Sequence, residues 1–191
     1  MTAPAPQAAP GVALFDTALG ACGIAWSPLG LGAVALPAAS RALTLAHVSH
    51  LAQRCGTVAD AEAEPPGWVA AVVERIRALL SGQRIGFDDV PLDETGIDTF
   101  RRNVHALARA IPAGETRTYG DLARRLGDVR QARAVGQALG ANPFPIVVPC
   151  HRVLAAQGRS GGFSAPGGLS TKLRLLEIER AAFGDTRSLF D

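Results

Sequence analysis

Cys150 is followed at once by His151 and preceded by Pro149. A thiol beside an imidazole supplies a nucleophile and a base. A free thiol, with a pKa of about 8.5, is only a few per cent ionised at neutral pH. A histidine that takes its proton, directly or through one water, raises that share. The histidine needs a partner to orient it, usually a carboxylate. Neighbouring residues in extended chain point to opposite faces, so a turn or helix start is required at Cys150 for the pair to cooperate. A helix start would also lower the thiol pKa through its unpaired N–H groups. Cys-His alone occurs by chance, so the flanking residues must carry the reading. The other two cysteines, Cys22 and Cys55, read as small buried hydrophobes, and three cysteines make no disulfide framework.

The elements that must position this pair are legible in outline. Residues 1–10 are rich in Ala and Pro without Lys or Arg, which predicts a disordered tail and not a signal peptide. From Val12 to Leu36, short apolar runs punctuated by Gly and Pro predict strands joined by tight turns. Ser40 is placed to cap a helix running to about Arg54. After Pro65-Pro66-Gly67, the stripe Trp68, Val69, Val72, Val73, Ile76, Leu79, Leu80 predicts a helix ended by Ser81-Gly82. Ile85–Thr95 reads as a connector containing one strand, with a domain boundary near residue 92.

Beyond it, Phe100, Val104, Leu107, Ala108 and Ile111 mark a helix stopped by Pro112 and Gly114. Thr118-Tyr-Gly-Asp121 forms a capping box that uses Asp in place of Glu. It opens a short helix with Leu122, Ala123 and Leu126 inward. A further helix, from about Arg130 to Leu139, turns Ala132, Val135, Gly136 and Leu139 inward. The two make a helix-turn-helix candidate. Ile146-Val147-Val148 reads as a short buried strand leading into Cys150. A glycine-rich loop spans Gly158 to Gly168, and a last helix runs from about Ser170 to Ala182 with Leu169, Leu173, Leu176 and Arg180 along one face. The fold class is therefore α/β (α+β): an N-terminal domain, 11–92, with a small antiparallel sheet and helices, then a mostly helical, winged-helix-like C-terminal domain, 93–191.

Composition narrows the class further. At 48% hydrophobic and 19% charged the chain is that of a globular protein, and no apolar run is long enough to span a bilayer. A cytoplasmic location is expected. The formal net charge of +2 hides an asymmetry: residues 1–100 carry 5 basic and 10 acidic side chains, residues 101–191 carry 14 and 7. A basic second half suggests a polyanionic partner there.

The block Asn142-Pro-Phe-Pro-Ile-Val-Val-Pro-Cys-His-Arg-Val153 resembles the O6-alkylguanine-DNA alkyltransferase family, whose signature is Pro-Cys-His-Arg preceded by Asn-Pro. Ile111 through Ala123, Ala132-Arg-Ala-Val-Gly136, Gly161-Gly-Phe-Ser164 and Lys172 through Glu179 extend the resemblance over residues 86–182. It implies DNA repair by direct, irreversible transfer of an alkyl group from O6-alkylguanine, and also O4-alkylthymine, to Cys150. The partner it implies is double-stranded DNA, approached through the minor groove with the damaged nucleotide flipped out. No cofactor, no membrane and a monomer are expected.

By the same resemblance, His151 is the base, acting through a water, and Glu179 orients it. Asn142 braces the active-site turn, and Arg152 makes a structural salt bridge. Tyr119 assists phosphate rotation and hydrogen-bonds N3 of guanine. Arg133 is the finger that fills the gap left by the base, while Ala134 and Gly136 let the helix sit deep in the groove. Pro145, Val153 and Phe163 would wall the guanine pocket, with backbone groups near Val153 and Ser164 reading the base edge.

Several features depart from the family pattern. The loop Phe163–Gly168 is two residues longer than the commoner form, which bears on tolerance for bulky alkyl groups. His105 stands where many members have an aromatic residue. Cys22, His47, His50 and Cys55 are the candidates for a structural zinc, but the family's ligand pattern is absent, and no metal is expected. Three other functions use parts of the same sequence, among them a regulatory helix-turn-helix protein, which would need dimerisation features that the sequence does not offer. A damage sensor without transfer would lack the cysteine. A cysteine hydrolase would leave the basic helical region unexplained.

Overall fold

The computed structural model describes residues 8–54 and 62–182. The proposed tail as far as residue 7, and Cys55, lie outside them. Within the rest of the proposed tail, the Ala9 carbonyl accepts a hydrogen bond from Trp26 Nε1 at 3.0 Å.

Three strands form an antiparallel meander: β1 (Gly11–Thr17), β2 (Gly20–Ser27) and β3 (Gly30–Ala35). Alternation along β2 sends Ile24 and Trp26 to one face and Ala25 to the other. The small-residue face, with Ala25, Ala33 and Ala35, receives Val48 and Ala52 of helix α1 (Arg41–Arg54). Ser40 caps α1, its Oγ accepting from Leu43 N at 3.2 Å. The large-residue face takes helix α2 (Gly67–Leu80), whose Val69, Val72, Val73, Ile76, Leu79 and Leu80 are all buried.

The segment expected to hold a strand, Ile85–Thr95, is a run of turns. Its one sheet-like feature is a bridge from Leu92 to Leu31. That bridge, the Leu31 N–H to Pro91 O bond at 2.8 Å, and Ser27 Oγ donating to Asp93 at 2.5 Å bind the connector to the sheet. One apolar cluster runs without a break from Ile24 through Val104 and Phe144 to Leu175. The two halves proposed from the sequence therefore share a core.

The second half begins with helix α3 (Thr99–Arg109), capped by Asp98, which accepts from Arg101 N at 2.9 Å. Residues Arg117–Thr118 form β4, and helix α4 (Tyr119–Arg125) follows. The Thr118–Asp121 capping box is present in both directions. A single 3-10 turn, Val129–Gln131, precedes α5 (Ala132–Gly140), which buries Val135, Ala138 and Leu139. Ala138 takes the inward place expected for Gly136, because Gly136 faces an open cavity.

The strand expected at Ile146–Val148 is absent. The three side chains are buried as expected, but the backbone turns, with Ile146 at φ 74° and Val148 N–H bonded to Phe144 O at 2.7 Å. Pro143, Pro145 and Pro149 remove the donors that a ladder would need. Cys150–Arg152 is a 3-10 turn, as the Cys-His geometry demanded, and Val153–Leu154 (β5) then pairs in parallel with β4. The last helix is α6 (Gly168–Ile178). Its inner face is Lys172, Leu175 and Leu176; of the predicted row Leu176 is buried and Leu173 half-buried, while Leu169 and Arg180 are not part of that face. Leu169 is exposed, and the helix ends before Arg180, which adopts φ 54°.

Close packing between β2 and α1 leaves no room at Gly23, where a Cβ would stand 2.7 Å from Val48 Cγ1. Gly23→Ala is expected to cost about 1–3 kcal/mol in a denaturant melt. Adding Val48→Ala, which removes the obstructing methyls, is expected to return part of that loss.

Candidate active site

Residues 142–152 hold Cys150 in a turn tied by hydrogen bonds at both ends. Asn142 sits just past α5 and spans the turn: its Nδ2 donates to Val148 O at 2.9 Å, and its Oδ1 accepts from Phe144 N at 2.9 Å. Ile146 in the left-handed region is a strained, β-branched exception. The strain persists because its side chain is fully buried and both ends of the turn are tied down. The Cys150 N–H closes the turn on Val148 O at 2.8 Å, and β3 joins through Val34 N–H to Pro143 O at 2.8 Å.

His151, Arg152 and Glu179 form a buried cluster. Glu179, at the C-cap of α6, accepts from His151 Nε2 at 2.9 Å, from Arg152 Nε at 2.8 Å and Nη2 at 2.7 Å, and from Gly114 N at 3.3 Å. Arg152 Nη1 also donates to Ile111 O at 2.5 Å. The sequence-based expectation that Arg152 makes a structural ion pair holds, and its partner is the same carboxylate that meets the histidine. Burial pushes the Glu179 pKa upward, but the hydrogen bonds from His151 and Arg152 more than offset this and bring it to about 2. The carboxylate is ionised, so His151 Nε2 bears the proton it donates. His151 Nδ1 is then the free acceptor, and it is buried with no hydrogen-bond partner among the described residues. Burial lowers the His151 pKa, with Glu179 acting in the opposite direction, so the resting imidazole is neutral.

Cys150 forms part of the wall of a cavity of about 550 Å³. Tyr119 from the start of α4, Arg133 and Gly136 from α5, and Phe163 and Ser164 from the loop complete its main features. Ala134 is half-buried on α5 and outside this lining. Pro145 lies in a second cavity of about 220 Å³ that also meets Cys150, Phe163 and Ser164. Ser164 is fixed by donating to Gly140 O at 2.7 Å. Val153 lies beneath the site, fully buried and off both linings, and its carbonyl is already engaged.

What engages it is Lys172, a residue the sequence reading placed on the last helix without a role. Its Nζ donates to Val153 O at 2.6 Å and lies 5.8 Å from the Tyr119 ring centroid. Burial pulls its pKa down to about 8, partly countered by Cys150. A lone lysine on an apolar helix face was the available signal. The expectation that the helix start would lower the Cys150 pKa is corrected: desolvation dominates and raises it, while Asn142, Lys172 and the local N–H groups pull the other way. A three-residue 3-10 turn has too small a dipole to win against that desolvation.

The Glu179 arrangement has a signature in stability. A carboxylate whose folded pKa lies below its ordinary value of 4.5 stabilises the fold above that value, and loses this as pH falls towards about 2. Acid unfolding is expected to steepen in that window, and Glu179→Gln is expected to flatten it. The check is the denaturation midpoint measured from pH 6 down to pH 2.

Residues 99–181 match the family model described as 6-O-methylguanine DNA methyltransferase, DNA binding domain. A methylated-DNA–protein-cysteine methyltransferase of Mycolicibacterium paratuberculosis is 39% identical over 165 residues, covering 86% of this chain and 95% of that protein. A DNA base-flipping protein of Thermus thermophilus is 46% identical over 110 residues, 58% of this chain and 72% of its own. The crystal structure of Mycobacterium tuberculosis OGT in complex with DNA superposes with a TM-score of 0.67 at 32% identity, covering 90% of this chain and 94% of that one. With Cys150 on the wall of an open cavity, next in sequence to a histidine oriented by Glu179, and a relative matched over nearly its whole length, the chain belongs to the methylated-DNA–protein-cysteine methyltransferase family.

Proposed function

We propose that Cys150 is the alkyl acceptor in a one-shot repair reaction on O6-alkylguanine in double-stranded DNA. The observation that carries this reading is the buried Arg152–Glu179–His151 chain, whose histidine is next in sequence to Cys150 on a cavity wall. Glu179 fixes the tautomer, so Nδ1 of His151 is the atom able to take the thiol proton through one water. The thiolate then displaces guanine from the alkyl carbon: the S–C bond forms as the C–O6 bond breaks. The bond pair passes to guanine, which takes a proton. Tyr119, whose pKa is raised by burial and by Cys150, keeps its phenolic proton and can donate it to N3 of the base; the proton held by His151 then returns through water to the phenolate, so that one proton passes in net from thiol to guanine.

Lys172 positions this arrangement from below, holding the Val153 carbonyl and lying against Tyr119. Asn142 braces the turn. Phe163 and Ser164 bound the base, with Pro145 behind them. Arg133 is exposed on α5 at the cavity rim, where it can enter the space an extruded nucleotide leaves. The small residues Ala134 and Gly136 allow the close approach of α5 to a narrow groove. The proposed boundary near residue 92 separates the half that carries the sheet from the half that carries these groups. Among the described residues no group beside Cys150 is suited to cleave the thioether product, and each molecule acts once. Among the described residues no helix is long and apolar enough to cross a membrane, which accords with action in the cytoplasm, on the nucleoid.

Intact-mass measurement after incubation with duplex bearing O6-methylguanine is expected to show one added methyl group, mapping to Cys150, with guanine left in the DNA. Cys150→Ser should bind the duplex and gain no mass, and binding without any mass change in the native protein would favour a damage sensor. Glu179→Gln should slow transfer by about 10²-fold or more while duplex affinity stays within a factor of a few. Arg133→Ala should slow repair of duplex far more than dealkylation of the free base, which needs no flipping, and equal losses would remove the finger assignment. Lys172→Met should slow transfer and alter its dependence on pH between 7 and 9, the range spanning a pKa of about 8.

A further inference from the structure

His105, on α3, is 1% exposed, and neither of its ring nitrogens has a hydrogen-bond partner among the described residues. Its ring meets that of Phe144 edge to face, with centroids 6.1 Å apart and planes at 87°. A phenyl ring could make the same contact without desolvating two nitrogens, and many members of the family have an aromatic residue at this position. A buried imidazole in its place calls for a polar partner. Burial brings its pKa to about 4, with the Ala138 carbonyl and Asp98 acting the other way and Arg101 and Arg109 adding to the fall. At neutral pH the ring is uncharged and has one N–H to give.

His105 lines a cavity of about 40 Å³, together with Arg54 at the end of α1, Gly96 of the connector, Arg101 one turn earlier on α3, and Ala141 and Pro143 on either side of Asn142. A water takes about 30 Å³ in the liquid, so the space suits one monoatomic ion and is too small for a phosphate group. Its polar side chains are the imidazole and two guanidiniums, which donate and cannot accept. No carboxylate is among its described lining residues. Asp98 offsets part of the Arg101 charge, 3.3 Å from its Nε. Arg54 is exposed and has no ion pair among the described residues. Gly96 brings the connector close to the end of α1: a Cβ there would stand 3.6 Å from the Arg54 carbonyl oxygen.

We infer that this cavity binds a single halide ion such as chloride, which takes the His105 N–H and lies between the Arg54 and Arg101 guanidiniums. Donors and positive charge without a lining carboxylate select an anion over a cation or a water, and the size of the space selects a monoatomic one. The site joins α1 of the N-terminal half, α3, and the residues flanking Asn142, whose side chain braces the turn that carries Cys150. An ion held there ties the sheet-bearing half to that turn. No step of alkyl transfer passes through it, so the site stands apart from the reaction proposed above.

The test is thermal unfolding of the DNA-free protein in sodium chloride, bromide or acetate at equal ionic strength. Acetate is too large for the cavity and serves as the reference. The native Tm should rise saturably with chloride and with bromide, by about 2–4 °C over acetate once the halide is about tenfold above its dissociation constant. His105→Phe, which preserves an edge contact with Phe144, should abolish the difference between halide and acetate. Arg54→Gln, at an exposed position, should raise the half-saturating chloride concentration severalfold. Crystals grown in sodium bromide should show anomalous scattering beside His105. The inference is overturned if chloride and acetate act alike on the native protein, the result for a cavity that holds water. It is overturned equally if the halide response persists in His105→Phe, or if no bromide lies beside His105. Where His105→Phe does not fold, Arg54→Gln decides in its place, and an unshifted chloride titration overturns the inference.

Discussion

Everything at the reacting end of this molecule depends on one buried carboxylate. The Glu179 side chain is 1% exposed, as is fitting only for a charge met on several sides. Arg152 grips it with two nitrogens, His151 gives a third bond and the Gly114 backbone a fourth. The partners come from the turn after Pro149 and the loop after α3, and Glu179 itself from the end of α6, so the three segments are fixed relative to one another by a single group. Removing one partner from such a pair leaves an uncompensated charge and typically costs about 3–5 kcal/mol. One anion against one permanent cation also leaves the cluster near neutrality. The histidine therefore has no need to be charged at rest and can serve as an acceptor.

The tautomer follows from the same arrangement. With Nε2–H committed to a carboxylate that stays ionised, the other ring nitrogen is left as an acceptor with no partner among the described residues. A protonated Glu179 could donate to Nε2 and reverse the assignment, which is why Arg152 matters to the chemistry although it faces away from the cavity. Strain at Ile146 belongs to the same design. The chain must turn sharply enough to put Cys150 on the cavity wall while His151 points into the core. The two amide bonds of Asn142, with the packing of Phe144, Ile146 and Val148, hold that turn.

Much of this was legible in the sequence where local signals and side-chain chemistry agree. The Ser40 cap, the α2 stripe and the Thr118–Asp121 box each fix an element from within a few residues, and each is present. The turn at Cys150 followed from requiring two adjacent side chains to cooperate. The Ile146–Val148 strand failed because a β-branched run signals burial as readily as it signals strand, and the flanking prolines denied it a ladder. The face of α6 was only partly right, with Leu176 inward as expected, for a related reason: Lys172 and Glu179 are buried there too but polar, and a search for apolar spacing passes over them. Lys172 as a buried donor and Ala138 as an inward residue depend on what lies opposite them, which no single segment encodes. The same holds for the connector after Ile85, whose order comes from bonds to Leu31 and Ser27 far back in the chain.

The resting electrostatics suit a reagent that is used once. Desolvation raises the thiol and lowers the imidazole, so burial opposes the charge-separated pair in the free protein. The groups that favour thiolate, namely Asn142, Lys172 and the turn's own N–H donors, are fixed in place beforehand. They do not have to reorganise when the reaction begins. A site so balanced gains reactivity from substrate that supplies a hydrogen-bonding base edge and excludes bulk water, since both strengthen fixed dipoles already aimed at the sulfur. In the proposed reaction, specificity lies in the order of events: the cavity is filled first, and only then is the thiol's proton worth moving to His151.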